Sequence, residues 1–168
     1  MPFEDFRWLA AVIAAHKNGE VVGRTRLQKT VWLLQRLGLP TEYSYMIHFY
    51  GPYSEGLHAE VGLLENLGIV EESPMMTRGG EPYFVAKVTQ RKGLPVEQLD
   101  ERVKKAIPVL ESANSIVLEL AATYDAFRDQ GDSHDDAVQR VKRKKGSKCD
   151  NGNLEQALEL LERLELKK

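Results

Sequence analysis

The order in which apolar periods follow one another through the N-terminal half limits the folds open to this chain. Apolar residues recur at helical spacing twice, an aromatic and β-favouring stretch intervenes, helical spacing returns, and two strand-like runs close the series. The first segment, Pro2 to Lys17, puts Phe6, Leu9, Ala10 and Ile13 on one face and Trp8, Val12 and Ala15 on another, with Asn18-Gly19 as its stop. A helix apolar on most sides belongs at the centre of a fold. In the second segment Thr25 and Gln28 have capping-box spacing, and Leu27, Val31 and Leu34 make a core stripe ending at Gly38. Arg26, Lys29 and Arg36 fall on its polar side.

The stretch Tyr43 to Tyr53, YSYMIHFYGPY, predicts a short strand followed by a turn at Gly51-Pro52. Ser54 is placed to cap a third helix striped by Leu57, Val61, Leu64 and Leu67 and ended by Gly68. The runs IVEE and YFVAKVT are then joined through SPMMTRGGEP, where Gly79-Gly80 suits a hairpin tip. Helix, helix, strand, helix, hairpin is the order of a winged-helix module.

RKGLP, residues 91–95, marks a junction, after which the chain reads as helical. Val96 to Ile107 carries acid-to-base pairs, Asp100 with Lys104 and Glu101 with Lys105, and is interrupted at Pro108. Ile116, Leu120, Tyr124 and Phe127 stripe a helix that stops near Gly131. Ser133 with Asp136 opens a short helix to about Lys144. Asn153 with Gln156 opens the last, striped by Leu154, Leu158, Leu161 and Leu164. The expected fold class is mainly α (α+β), with a winged-helix-like module over residues 1–92 and a helical part over residues 93–168 packed on it.

With 168 residues, the chain is long enough to close a core without metals or disulfides. Its net charge of −2 gives no global drive toward nucleic acid or an anionic membrane. One cysteine, Cys149, excludes an internal disulfide and a thiolate zinc cage and fits a reducing cytoplasm. No apolar run reaches the roughly 18 residues of a membrane span, and the N-terminus lacks a signal peptide's basic region, so a cytoplasmic protein without membrane contact is expected.

The third helix would be the reading helix of a winged-helix protein, yet its exposed residues are Glu55, His58, Glu60, Glu65 and Asn66. Three carboxylates beside a phosphate backbone oppose base readout by that helix. Basic candidates lie elsewhere. Arg24, Arg26 and Lys29 form a cluster on the second helix that suits an acidic protein surface, and Lys29 has Glu60 and Glu65 as possible partners. Arg78 stands at the wing tip with Lys87 nearby, and Arg140, Lys142, Arg143, Lys144, Lys145 and Lys148 form a run on a helix end and flexible loop able to wrap a polyanion. In HFYGPY, His48, Tyr50 and Tyr53 give polar tips to an aromatic surface suited to stacking or peptide binding.

Catalytic patterns are missing. No nucleophile elbow, phosphate-binding glycine loop, paired-histidine zinc helix or dinucleotide fingerprint occurs, and His16, His48, His58 and His134 lack metal-ligand spacing. Lysines around Cys149 favour a lowered thiol pKa, in a loop position of no evident use. No catalytic residue, metal or cofactor is expected.

In RLQKTVWLL and FYGPYSEGLHAEVGLLENLGIV the chain resembles the bacterial and archaeal YwgA-like proteins, and LELAATYDAF, AVQRVKRKKGSK and the Leu-rich last helix extend the likeness over nearly its whole length. More distantly, the first half is similar to the SocA-like or Panacea domain, which carries a Leu-Gln-Lys helix followed by a Gly-Pro turn. That resemblance implies an association with toxin neutralisation or with a proteolytic adaptor. Only Leu27, Gln28, Lys29, Gly51 and Pro52 carry over, as a shared structural signature, and Tyr53-Ser54 follows where the Panacea pattern has Val.

Together these readings favour a non-enzymatic protein-interaction module, antitoxin-like or adaptor-like, with a toxin-like or regulatory protein as partner. Its contact residues would be Arg24, Arg26, Lys29, His48, Tyr50 and Tyr53. The alternative is a winged-helix DNA-binding transcriptional regulator that docks through Arg78 and the run from Arg140 to Lys148.

Overall fold

Helices carry most of the chain, as the apolar periods predict. A computed structural model describes residues 4–166. The order is α1 (Asp5–Ala15), β1 (Glu20–Val22), α2 (Arg24–Arg36), β2 (Met46–His48), β3 (Gly51–Tyr53), α3 (Glu55–Asn66), β4 (Val70–Met76), β5 (Pro82–Val88), α4 (Glu101–Ser112), α5 (Ser115–Asp129), α6 (His134–Lys145) and α7 (Asn153–Arg163). The expected start of the first helix at Pro2 lies outside the described residues.

Three helices are buried nearly all round. Residues Trp8 through Ala14 of α1, Leu27 through Leu34 of α2 and Val117 through Phe127 of α5 are each continuously buried, so each helix has neighbours on every side. Apolar residues of both halves join one core, from Leu9 and Leu33 to Leu120 and Leu161. Polar ties reinforce the junction. Arg26 donates to the Leu110 and Ala113 carbonyls at the end of α4, at 3.1 and 2.7 Å. Trp32 Nε1 and Arg36 Nε both donate to the buried Asp125 carboxylate of α5, at 3.0 and 2.9 Å.

The strands form two antiparallel sheets. In the larger, β5 lies between β1 and β4, with Val21 opposite Ala86 and Ser73 opposite Val85. The strand β1 is too short for its alternation to show in the sequence. The hairpin is also longer than IVEE suggests, because Ser73 to Met76 pair with Pro82 to Val85 and leave only residues 77–81 for the turn. Gly80 sits there at φ 81°.

The second sheet corrects the aromatic stretch. It is a hairpin in which Met46 pairs with Tyr53 and His48 with Gly51, so the turn is Phe49-Tyr50 and Gly51-Pro52 belongs to the strand. Proline is tolerated because a two-stranded hairpin has open edges.

Other local expectations shift for definable reasons. Gly23, rather than Thr25, precedes α2 and has no side chain with which to cap it, while Gln28 bonds Ser54 across the fold. Ser54, Asn114 and Ser133 do cap α3, α5 and α6. Gly152 precedes α7, while Asn153 Nδ2 donates to the Lys148 carbonyl rather than closing a capping box with Gln156. Pro108 lies inside α4, which starts only at Glu101; its missing N–H costs the Lys104 carbonyl one helical bond without stopping the helix. Asp100 caps that helix, so Lys104 pairs with Glu101 instead. Leu67, beyond the last turn of α3, is exposed.

Candidate functional site

Gln28 and Lys29 are the residues from which the site is built. Both lie on the buried side of α2, although helical spacing alone assigns Lys29 to the polar side. Gln28 Nε2 donates to the Ser54 carbonyl at 2.9 Å, and its Oε1 accepts the Ser54 N–H at 2.8 Å. One amide thus satisfies both backbone groups of the residue that caps α3. Lys29, 2% exposed, donates from Nζ to the Pro52 carbonyl at 3.0 Å. Neither Glu60 nor Glu65 is its partner: Glu60 accepts from the Tyr43 hydroxyl, and Glu65 accepts the Glu72 N–H at 3.0 Å.

Gly51 completes the brace. It stands at φ 100°, where a Cβ would lie 2.5 Å from Thr123 Oγ1 of α5. The hairpin backbone therefore rests directly on α5. From the other side Lys145 Nζ donates to the Phe49 carbonyl at 2.9 Å and pairs with Glu119 Oε2 at 2.9 Å. Lys148 also reaches Glu119 Oε2, at 3.0 Å, and its ammonium lies 5.1 Å from the centre of the Tyr50 ring. The hairpin backbone is fixed by three helices, out to the turn itself. The turn's side chains are open, with Phe49 80% and Tyr50 51% exposed.

Behind this hairpin lies a cleft of about 450 Å³, walled by α2, α3 and the β1–β5–β4 sheet. Arg24, Lys29, His48, Tyr50 and Tyr53 all line it. His48 stacks on Tyr53 at 4.7 Å between ring centres, and His58 is on the α3 wall. Arg24 lies over the Phe84 ring and binds Glu72 through Nε and Nη2, at 3.0 and 2.5 Å. Five of the six residues expected to meet a partner share this cleft. Arg26 departs from the group: it is committed to α4 and lines a separate depression with His16 and Glu111.

The basic run is divided. Arg140 pairs with Asp132 at 2.9 Å and lies over Phe127, Lys145 and Lys148 are tied to Glu119, and residues Gly146–Cys149 form a 3₁₀ turn rather than a loose loop. Lys142, Arg143, Lys144 and Arg78 are exposed. Burial pushes the Cys149 thiol up, reinforced by Asp150, opposite to the direction its lysine neighbours suggest.

Burial also pushes Lys29 down to about 8, with nearby Lys145 adding to the shift and Glu119 opposing it. Lys145 is lowered too, chiefly by burial and against its bond to Glu119. Among the described residues no group of three or more His, Cys, Asp or Glu side chains is placed to hold a metal ion.

The chain is 30% identical over 153 residues to the Bacillus subtilis (strain 168) protein "Uncharacterized protein YwgA", a match that spans 88% of this chain and 89% of that protein. It belongs to the YwgA family. No protein-family model matches it. For a YwgA-family chain, the structure gives the motif residues Gln28, Lys29, Gly51 and Pro52 one mechanical task, which is to hold an aromatic hairpin against α2 and α5. Sequence reasoning misses Phe49, Glu119 and Thr123 in that arrangement. Phe49 adjoins Tyr50 in the aromatic stretch and is the one of the three with a local signal.

Proposed function

We propose that this YwgA-family chain is a non-enzymatic binding module that recruits a partner protein through the tip of the β2–β3 hairpin and the cleft behind it. The observation that carries this reading is the pairing of exposed turn side chains with a fixed backbone. Phe49 and Tyr50 project into solvent, while Gln28, Lys29 and Lys145 hold the adjoining backbone. Aromatic anchors that need no ordering on binding lose little entropy and commonly dominate interface energies. An antitoxin-like or adaptor-like role agrees with this reading and with the resemblance to Panacea domains.

Alanine at both Phe49 and Tyr50 tests it. Affinity capture from extract of the native cell, after nuclease treatment, is expected to recover a stoichiometric protein with the wild-type chain and to lose it with the double variant, whose fold stays intact because both side chains are exposed. Equal recovery by the two chains overturns the reading.

A second reading has one observation in its favour. With the β2–β3 hairpin set aside as an insertion between α2 and α3, the order α1, β1, α2, α3 and a β4–β5 hairpin paired with β1 resembles a winged helix, which supports a DNA-binding reading. The exposed Glu55 and Glu65 of α3 count against base readout. DNA affinity that falls steeply with salt, and is lost on charge reversal at Lys142, Arg143 and Lys144, would favour this second reading.

A further inference from the structure

The β1–β5–β4 sheet has two outer edges, and only one of them is closed. An edge strand offers unpaired backbone N–H and C=O groups to any extended segment, so folds blunt the edges they do not use. On β4, the bonds from the Thr89 N–H to the Ile69 carbonyl and from the Thr77 N–H to the Glu81 carbonyl fix the alternation and turn residues 70, 72, 74 and 76 outward. Glu65 takes the outward N–H of Glu72, and Pro74 has none to offer. On β1, the Gly23 N–H donates to the Phe84 carbonyl at 2.7 Å, so the preceding Val22 turns its N–H and carbonyl away from β5. Neither group has a partner among the described residues, and Val22 is 49% exposed.

Beside this open edge lies a depression of about 580 Å³ lined by His16, Glu20, Val22, Arg26, Tyr83 and Glu111. His16 is only 5% exposed, and its Nδ1 bonds the Val12 carbonyl at 2.7 Å. A carbonyl only accepts, so Nδ1 carries the proton and Nε2 presents a lone pair. That lone pair has no partner among the described residues, where the one fully buried side-chain N or O without a partner is the Tyr45 hydroxyl. His16 Nε2 therefore still reaches solvent, by way of the depression that its ring lines. Burial lowers the His16 pKa, against the Val12 bond and the Glu111 charge, and keeps the ring neutral.

Two carboxylates face the same space. Glu111 accepts the Lys17 N–H at 2.9 Å, and neither it nor Glu20 has an ion pair among the described residues. Glu111 stands in the last turn of α4, where the helix dipole disfavours an acid. Arg26 is bonded to the Leu110 and Ala113 carbonyls that end the same helix, and Lys87, opposite Glu20 in the ladder, is opposite Glu71 as well. The depression thus combines two carboxylates and a lone pair with apolar walls from Val22 and Tyr83. No three His, Cys, Asp or Glu side chains among the described residues are placed to hold a metal ion, so a compact cation does not fit. A guanidinium spreads five N–H donors over a plane and reaches acceptors set further apart.

We propose that the open edge of β1 and this depression form a docking site for an extended peptide segment that carries an arginine. The segment pairs its backbone with Val22. Its residue opposite Val22 then puts its side chain on the face shared by Glu20, Val22 and Tyr83, where the guanidinium meets His16 Nε2 and the two carboxylates. This site is separate from the Phe49-Tyr50 turn and does not rest on the recruitment reading.

The probe is acetyl-Val-Arg-Val-amide, titrated into the isotope-labelled full chain beside the same peptide with citrulline or lysine in place of arginine. Citrulline keeps the shape of arginine and loses its charge. The expected result is saturable shifts of the Val22, Gly23 and Ser115 amides, with the citrulline peptide about tenfold or more weaker and the lysine peptide several-fold weaker. Glu20→Gln combined with Glu111→Gln should weaken the arginine peptide by about tenfold. Val22→Pro removes an N–H that the ladder does not use, so it should abolish binding and leave the fold intact. Absent shifts overturn the proposal, as do equal binding of the citrulline or lysine peptide and indifference to either variant. If Val22→Pro fails to fold, the citrulline comparison and the carboxylate variant decide. Self-association abolished by Val22→Pro, with no peptide bound, would make a second copy of the chain the occupant and likewise overturn it. Alanine at Phe49 and Tyr50 should leave peptide affinity within twofold, so this site and the hairpin fail independently.

Discussion

Lys29 is the residue at which local pattern and final structure part company. Its spacing from Leu27, Val31 and Leu34 gives it a solvent-facing position, and only the hairpin arriving from residues 46–53 turns that position inward. Helical period reports one helix, not what later segments lay over it. The burial has a pH signature. The native pKa of about 8 lies below the ordinary 10.5, so at this group the unfolded chain holds more protons between those values and its contribution to stability rises with pH through that window. Across the full window the gain is about 3 kcal/mol, because each tenfold change in proton affinity is worth ~1.4 kcal/mol. Urea unfolding between pH 7.5 and 9, below the range in which the buried Tyr43 and Tyr45 oppose it, is expected to show this rise in the wild type and a flatter profile in Lys29→Met. Gln28 permits a sharper test. Gln28→Ala strands the buried N–H and carbonyl of Ser54 and should cost about 2–4 kcal/mol, at roughly 1–3 kcal/mol per unsatisfied group with some relief by water. A loss below about 0.5 kcal/mol in urea denaturation would show that the amide does not brace the hairpin.

At the scale of elements, the β2–β3 hairpin is held by contacts that come from α2, α5 and α6 together. Its existence is half legible in the sequence: aromatic, β-favouring residues announce a strand, and Gly-Pro suggests a turn. The turn falls elsewhere because Gly51 is needed for close approach to Thr123, a contact 72 residues away that no local signal records. Gly51→Ala should therefore cost more than about 1 kcal/mol through its positive φ alone. The clash with Thr123 Oγ1 adds to that, so Thr123→Ala should recover part of the loss. Additive losses in the double variant would exclude that contact as the cause. The end of α6 behaves likewise. Lys145 and Lys148 belong by sequence to a basic surface run, yet Glu119 on α5 claims both. Glu119→Gln leaves those cations without their carboxylate and is expected to destabilise by about 3–5 kcal/mol, the range for breaking a buried pair. Thermal unfolding of this variant beside Lys142→Gln, whose side chain is exposed, separates the buried lysines from the surface ones.

For the whole molecule, the mainly helical class and the order of elements are open to sequence reading, because long apolar periods and capping residues are local properties. The packing of the second half on the first is expected from the sequence only in outline, and the contacts that carry it are not. Arg26 on α4 carbonyls, Trp32 and Arg36 on Asp125, and one core spanning Leu9 to Leu161 are all long-range facts. It follows that residues 1–92 alone expose the buried faces of α1 and α2 and should not give a dispersed amide spectrum, even though winged-helix modules of that size fold elsewhere. If the hairpin and its cleft are where this YwgA-family chain meets its partner, the complex must shield them from solvent. Hydrogen exchange of the captured complex against the free chain reads that shielding residue by residue. Protection confined to residues 20–29 and 46–65 is the expected outcome, and protection confined to residues 139–150 would overturn the assignment.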